Sequence, residues 1–123
     1  MAIINGFKDL IVYQKAFKLA MEIFEISKTF PKDEKYSLTD QIRRSSRSIS
    51  TNIAEAWKKI CIKHFVSKLS DSLGEEYETE VWIEYSLHCN YIDQETYQKF
   101  NSDYDEVRKM LISMMNNPEK FCK

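Results

Sequence analysis

The sequence predicts an all-α protein, and two observations carry that prediction. Only two glycines and two prolines occur among 123 residues, whereas a β-sandwich or an α/β fold needs such residues at its many turns. Four stretches repeat apolar residues at spacings of three and four, which is the pattern of an amphipathic helix. We therefore predict one domain over residues 1–123, folded as an up-down-up-down antiparallel four-helix bundle with short loops.

The first helix is predicted over residues 9–28, with Asp9 as its N-terminal cap. Its apolar residues form two neighbouring lines, and this arc is wider than the core of one bundle requires. We therefore expect part of the arc to face another subunit. The two lines are Leu10, Tyr13, Phe17, Ala20, Met21 and Phe24, and beside them Val12, Ala16, Leu19, Ile23 and Ile26.

The second helix is predicted over residues 38–58 and contains the stretch "QIRRSSRSISTNIAEAW". At about 100° per residue its small and apolar side chains share one face. Serines on that face would let a neighbouring helix approach closely. Arg43 and Arg47 lie on one polar flank, and Asn52 and Glu55 lie on the other. The face itself consists of Leu38, Ile42, Ser45, Ser46, Ile49, Ile53 and Ala56.

The third helix, predicted over residues 62–90, carries acidic residues along its apolar face. That face passes through Glu76 and Glu80 before apolar residues resume. Either these carboxylates are buried beside arginines, or the face rotates after Gly74 and takes them out of the core. Because an unpaired buried carboxylate is costly, we expect partners wherever Glu76 is enclosed. Structural polar pairs are predicted at Asn52, Glu55, Glu76, Glu78 and Glu80.

The fourth helix is predicted over residues 94–116, with Asp93 as its N-terminal cap. Its apolar residues alternate spacings of three and four without a fault, which is the seam of a packed bundle helix. Asn116, Asn117 and Pro118 end it. The seam consists of Tyr97, Phe100, Tyr104, Val107, Leu111 and Met114.

Charge is strongly segregated along a chain whose net charge is only −1. Residues 41–68 contain seven basic residues and one acid, whereas residues 69–106 contain eleven acids and one base. In one interpretation, Arg43 and Arg47 pair with the third-helix acids Glu76, Glu78 or Glu80. In the other, an exposed basic patch binds phosphates. That patch would consist of Arg43, Arg44, Arg47, Lys58, Lys59 and Lys63.

No pattern in the sequence predicts catalysis, a metal or a cofactor. The three cysteines lack C-x-x-C spacing, which is typical of reduced thiols in a cytoplasmic protein. Cys61 with His64 and His88 with Cys89 would lie about 40 Å apart on one helix, too far to share zinc. Di-iron bundles need two Glu-x-x-His motifs, and this chain has neither. We also find no secretion signal and no membrane span.

Four segments, taken in order, resemble a bacterial four-helix bundle family that includes the 23S rRNA intervening-sequence proteins. They are "FKDLIVYQKAFKLAMEIFEISKTFP", "YSLTDQIRRSSRSISTNIAEAW", "KHFVSKLSDSLGEEYETEVWIEY" and "YIDQETYQKF". Residues that fall on the family's motifs are Arg43, Arg44, Ser48, Ile49, Asn52, Ile53, Glu55, Glu75, Glu78 and Thr79. The chain departs from the family at Ala56 and Lys58, where glycine is usual, and at Glu76, where a small residue is common.

The resemblance implies a left-handed bundle that assembles as a homopentamer. It also implies a relation to the accessory bundle proteins of diversity-generating retroelements, which use a basic surface to bind nucleic acid and a reverse transcriptase. Trp82 and Tyr85 are bulky residues opposite the core side of the third helix. Such residues need cover from another subunit, so we predict that they belong to the oligomer interface.

We predict a non-enzymatic cytoplasmic homo-oligomer that binds structured RNA or DNA, or a nucleic-acid-processing protein, through the basic edge of the second helix. Arg44, Lys58, Lys59 and Lys63 would contact phosphates, while Arg43 and Arg47 would divide between phosphates and third-helix acids. The alternative is a purely structural oligomer or protein–protein interaction module. A weaker alternative is a carboxylate-bridged metal bundle.

Overall fold

Four long helices make up most of the computed structural model, which describes residues 4–57, 59 and 61–122. They are α1 (Ile11–Ser27), α2 (Leu38–Trp57), α3 (Ile62–His88) and α4 (Gln94–Asn116). Short 3-10 turns occur at Phe7–Asp9, Lys32–Glu34 and Pro118–Lys120. No strand occurs in these described ranges. The predicted all-α four-helix bundle is confirmed.

The helices surround one core in chain order. Helix α2 packs between α1 and α3, and α4 packs against α3 and α1. In the described part of the chain, the diagonal pairs α1–α3 and α2–α4 make no contact. This arrangement of neighbours, with short connections between successive helices, is that of an antiparallel bundle.

Of the two predicted N-terminal caps, the one at α4 is present and the one at α1 is not. The Asp93 carboxylate accepts a hydrogen bond from the Thr96 amide at 2.8 Å, as an N-terminal cap does. The prediction that Asp9 caps α1 was wrong. Asp9 belongs to the preceding 3-10 turn and accepts a hydrogen bond from the Asn5 amide at 2.8 Å, so Leu10 stands at the cap position.

The core uses most of one apolar line of α1 and part of the other. Val12, Ala16, Leu19 and Ile23 are buried and Ile26 is half-buried, and the other line contributes Leu10 and Ala20. Phe17 and Met21 remain 50% and 47% exposed. The arc is therefore wider than the core of this bundle, as the sequence predicts. The α4 seam from Phe100 to Met114 is buried, as expected.

Helices α2 and α3 form the most extensive helix–helix contact among the described residues. Small residues line this contact. The predicted α2 face from Leu38 to Ala56 is buried throughout. The Ser72 hydroxyl donates a hydrogen bond to the Ile49 carbonyl at 2.8 Å, and the hydroxyls of Thr79 and Ser45 lie 2.8 Å apart. A side chain as short as serine reaches the backbone of a neighbouring helix only when the two backbones approach closely.

We expect Ser45→Leu to destabilise the protein by about 1–3 kcal/mol, because added methylene groups must push α2 away from α3. Urea unfolding followed by circular dichroism measures the change. Gln41→Leu is the matched control: Gln41 is exposed on the same helix, so its replacement should change stability by no more than about 0.5 kcal/mol. Equal effects of the two substitutions would contradict close packing at Ser45.

Candidate nucleic-acid interface

The predicted basic residues fall into two groups at opposite ends of α2. Arg43, Arg44 and Arg47 lie in its N-terminal half, and Lys59 and Lys63 lie in and after the turn that follows it. Arg47 and Trp57, the last residue of α2, are separated by about 15 Å of helical rise, and Lys59 lies beyond that end of the helix. The sixth residue, Lys58, lies outside the described residues.

Arg43 and Arg47 lie over an aromatic ring of α1. The Arg43 Nε donates a hydrogen bond to the Ser27 hydroxyl at 2.7 Å. The guanidinium carbons of Arg43 and Arg47 lie 4.8 and 5.6 Å from the centre of the Phe24 ring, within the range of a cation–π contact. Neither arginine forms an ion pair with a carboxylate in the described ranges.

The prediction that Arg43 and Arg47 pair with α3 acids was therefore wrong. Both arginines extend from the flank of α2 that faces α1, whereas Glu76 and Glu80 extend from α3 toward α4. Arg108 of α4 takes the place of the predicted partners: its Nη1 lies 2.9 Å from Glu80 and 4.0 Å from Glu76. Sequence reasoning missed Arg108, although it directly follows the buried seam residue Val107.

The predicted pairs at Asn52 and Glu55 have a partner on α3. The Lys68 Nζ lies 2.7 Å from the Glu55 carboxylate and 3.4 Å from the Asn52 side-chain oxygen. The hydrogen bond to Glu55 raises the pKa of Lys68. Lys68 is thus engaged between α2 and α3, and we do not include it in the candidate interface.

Arg44, Arg47 and Lys63 are the exposed cations among the described residues of the predicted set. The Arg44 side chain is 75% exposed, with Asp40 3.9 Å away across one helical turn. Exposed pairs of this kind contribute little to stability and are screened by salt. Lys63 is exposed on the first turn of α3, while Lys59 is half-buried. The exposed side chains of this set are free to approach a polyanion.

Glu76 is a buried carboxyl group without a close donor. It is 0% exposed, and neither of its oxygens accepts a hydrogen bond within the described residues. Burial, followed by the neighbouring Glu80 carboxylate, raises the pKa of Glu76 to about 9. Arg108 acts in the opposite direction but does not cancel these effects. Glu76 is therefore neutral at pH 7.

Of the two predicted oligomer contacts on α3, Tyr85 is exposed, whereas Trp82 packs against the core. Their ring centres are 5.8 Å apart, and Tyr85 is 56% exposed while Trp82 is half-buried. The Trp82 indole nitrogen is buried without a hydrogen-bond partner in the described part of the protein. Glu78, one helical turn before Trp82, is half-buried.

The described residues show neither a metal-binding cluster nor a helix suited to cross a membrane. Among the described residues, no three His, Cys, Asp or Glu side chains come together in a group that could hold a metal ion. None of the described helices combines the length and the apolar composition that crossing a membrane requires.

Comparison with known proteins identifies relatives of the same size. The family model described as "23S rRNA-intervening sequence protein" matches residues 8–113. A crystal structure of a protein of unknown function from the S23 ribosomal protein family of Bacteroides thetaiotaomicron VPI-5482 is 34% identical, with a TM-score of 0.79. The match covers 86% of this chain and 96% of that chain. No curated protein matches the chain.

The raised pKa of Glu76 predicts that stability falls as pH rises. Below about pH 4.5 both the folded and the unfolded chain hold the Glu76 proton, so stability does not depend on pH through this group and its contribution is fully present. Above that pH only the folded chain keeps it, until pH approaches about 9. The free energy of unfolding should therefore fall by up to about 1.4 kcal/mol per pH unit within this window.

Glu76→Gln should remove this part of the pH dependence, because the amide is neutral at every pH. Urea unfolding at several pH values between 5 and 9, compared between the wild type and the variant, measures the difference. Glu84→Gln is the control at an exposed position of the same helix. A wild-type pH dependence that survives in Glu76→Gln would contradict a buried neutral carboxyl group.

Proposed function

Because the chain belongs to the family of 23S rRNA-intervening sequence proteins, we propose that it is a non-enzymatic, oligomeric four-helix bundle that binds structured nucleic acid. Its contact surface is the basic edge, defined as Arg43, Arg44, Arg47, Lys59 and Lys63. Arg44 and Lys63 make the principal phosphate contacts, since both are exposed, whereas Arg43 and Arg47 lie over the Phe24 ring and Lys59 is half-buried.

A single observation carries this proposal: the carboxylates that pair across the α2–α3 and α3–α4 contacts take their cations from outside the edge. Arg108 lies against Glu76 and Glu80, and Lys68 pairs with Glu55. The arginines of α2 are consequently not consumed by the acidic half of the chain. Cations that remain exposed beside one another attract a polyanion and release its counterions on binding.

The spacing of the edge favours structured nucleic acid over an isolated phosphate group. Along α2, Arg43 and the last helical residue, Trp57, are separated by about 21 Å of helical rise, which corresponds to about six steps along one strand of a duplex at 3.4 Å per step. An elongated surface of this kind contacts several phosphates at once. Such contacts position a nucleic acid without reading its sequence.

A second candidate function is a purely structural or protein-binding oligomer. It is favoured by large apolar side chains that the bundle leaves at its surface, among them Phe17, Met21 and Tyr85. In that case the basic edge would serve contacts between proteins, and no nucleic acid would bind.

Replacing Arg44 and Lys63 together by Glu should abolish binding to a labelled structured RNA, because repulsion replaces two phosphate contacts. In the wild type, affinity should fall steeply with salt, and each lost phosphate contact should lower the salt slope by about 1. Fluorescence anisotropy over a salt series measures both quantities. Duplex DNA serves as a second probe.

The matched control carries Lys18→Glu and Lys109→Glu, which change the net charge by the same amount at exposed positions on α1 and α4. This control should bind nearly as well as the wild type. Equal losses in the two variants would mean that only net charge matters. Absence of wild-type binding at low salt would overturn the nucleic-acid function and favour the protein-binding alternative.

A further inference from the structure

The connection between α1 and α2 presents an aromatic ring to the solvent. Tyr36 is 85% exposed, more than any other large apolar or aromatic side chain of the described residues. The Lys35 Nζ lies over the ring, 5.2 Å from its centre, within the range of a cation–π contact. The ring therefore adds almost nothing to the core of this bundle, and the face that Lys35 does not cover is accessible to a ligand.

The segment that carries this ring is fixed to the rest of the bundle. The Glu34 carboxylate accepts a hydrogen bond from the Leu38 amide at 3.3 Å and another from the Tyr91 hydroxyl at 2.8 Å. Tyr91 belongs to the connection between α3 and α4, and its ring centre lies 5.3 Å from that of Phe30. Because the segment is anchored at these points, Tyr36 loses little backbone freedom when it contacts a ligand.

Exposed cations lie on both sides of Tyr36 in the chain. Lys32 and Lys35 precede it and form no ion pair within the described residues. Arg44 of the basic edge follows it, about 9 Å of helical rise beyond the start of α2. Because Asp33 is also exposed, the segment attracts phosphates only weakly by itself. What it adds to the basic edge is the ring.

The separation between the ring and Arg44 suits a single nucleic-acid strand. Tyr36 lies two residues before α2 begins, and a chain extends by at most about 3.6 Å per residue. The backbones of Tyr36 and Arg44 are therefore at most about 16 Å apart, which corresponds to about five nucleotide steps at 3.4 Å per step. A strand that contacts Arg44 through a phosphate can reach the ring with one of its bases.

An exposed ring beside phosphate-binding cations is the arrangement with which proteins bind unpaired nucleotides. Every base has a π-face, so stacking on a ring tolerates any sequence. A base inside a duplex already stacks on its neighbours, whereas a base in a loop, a bulge or a single-stranded end can be turned toward a protein ring. The ring therefore distinguishes between nucleic acids that phosphate contacts alone do not distinguish.

We propose that Tyr36 stacks on an unpaired base, so that the ligand of this protein is a nucleic acid in which a single-stranded loop, bulge or end adjoins a duplex. The duplex phosphates contact the basic edge, and the base takes the ring face that Lys35 leaves open. This inference rests on the proposed nucleic-acid binding and narrows its ligand class. The protein selects an unpaired nucleotide next to a helix, whatever the identity of the base.

Tyr36→Ala tests the ring with two labelled probes. One is an RNA hairpin with an unpaired loop, and the other is a blunt RNA duplex with the same number of phosphates. The wild type should bind the hairpin more tightly. Tyr36→Ala should lower the hairpin affinity by about 5- to 150-fold, the range for the loss of one stacked base, and leave the duplex affinity nearly unchanged. Fluorescence anisotropy measures both affinities.

Further readouts separate stacking from charge and from folding. The salt slope of Tyr36→Ala should equal that of the wild type, because no phosphate contact is lost. The double replacement of Arg44 and Lys63 should instead weaken binding to both probes. Tyr36→Trp should keep the preference for the hairpin, since an indole ring also stacks on a base. Sedimentation velocity and circular dichroism should show the wild-type mass and helix content for both Tyr36 variants.

Tyr77→Ala is the matched control, since Tyr77 is a 50% exposed tyrosine of α3 outside the basic edge. It should bind both probes as the wild type does.

The stacking role would be overturned, with phosphate binding left standing, by any of three results. These are equal wild-type affinity for the two probes, an unchanged hairpin affinity of Tyr36→Ala, and an equal loss on both probes. A changed mass of Tyr36→Ala would also overturn it, because Tyr36 would then be a contact between protein copies. Absence of wild-type binding to both probes at low salt would overturn the proposed function, and this inference with it.

Discussion

The close approach of α2 and α3 is the constraint on which the rest of the structure depends. Ser72 of α3 reaches the Ile49 carbonyl of α2 at 2.8 Å, a contact that larger interface side chains would prevent. With so thin a face against α3, the wide polar remainder of α2 must lie at its flanks and on its outer side. This is why one helix can be central to packing and still present three arginines at or near the surface.

The position of α2 also decides how the segregated charge is distributed. On the α3 side, Lys68 of α3 forms an ion pair with Glu55 of α2 and donates a hydrogen bond to Asn52. On the α1 side, Arg43 and Arg47 lie over Phe24, an aromatic partner that does not neutralise them. Glu76 and Glu80 of α3 turn toward α4 and Arg108. The ion pairs between α3 and its neighbours therefore leave Arg43 and Arg47 without a carboxylate partner in the described ranges.

Two surface properties of the bundle follow from the same arrangement. The basic edge lies along α2, and apolar side chains of the neighbouring helices α1 and α3, among them Phe17, Met21 and Tyr85, are also exposed. An assembly that buries the apolar surfaces would repeat the basic edge once per copy. Repetition of a weakly binding charged surface raises avidity for a long polyanion without any new contact. The proposed oligomer and the proposed nucleic-acid binding would then support each other.

The sequence by itself determined the all-α class, the buried face of α2, the seam of α4 and the cap at Asp93, because these depend on periodicity and on neighbours within one helical turn. The family was also evident from the order and spacing of its segments. Tertiary structure decided the partners of Arg43, Arg47 and Glu76, and which apolar line of α1 enters the core. Those outcomes depend on how each helix is rotated against its neighbours, and no local pattern encodes that rotation. A long side chain on a helix flank takes whichever partner that rotation brings near, here Phe24 for the arginines and Arg108 for the glutamates.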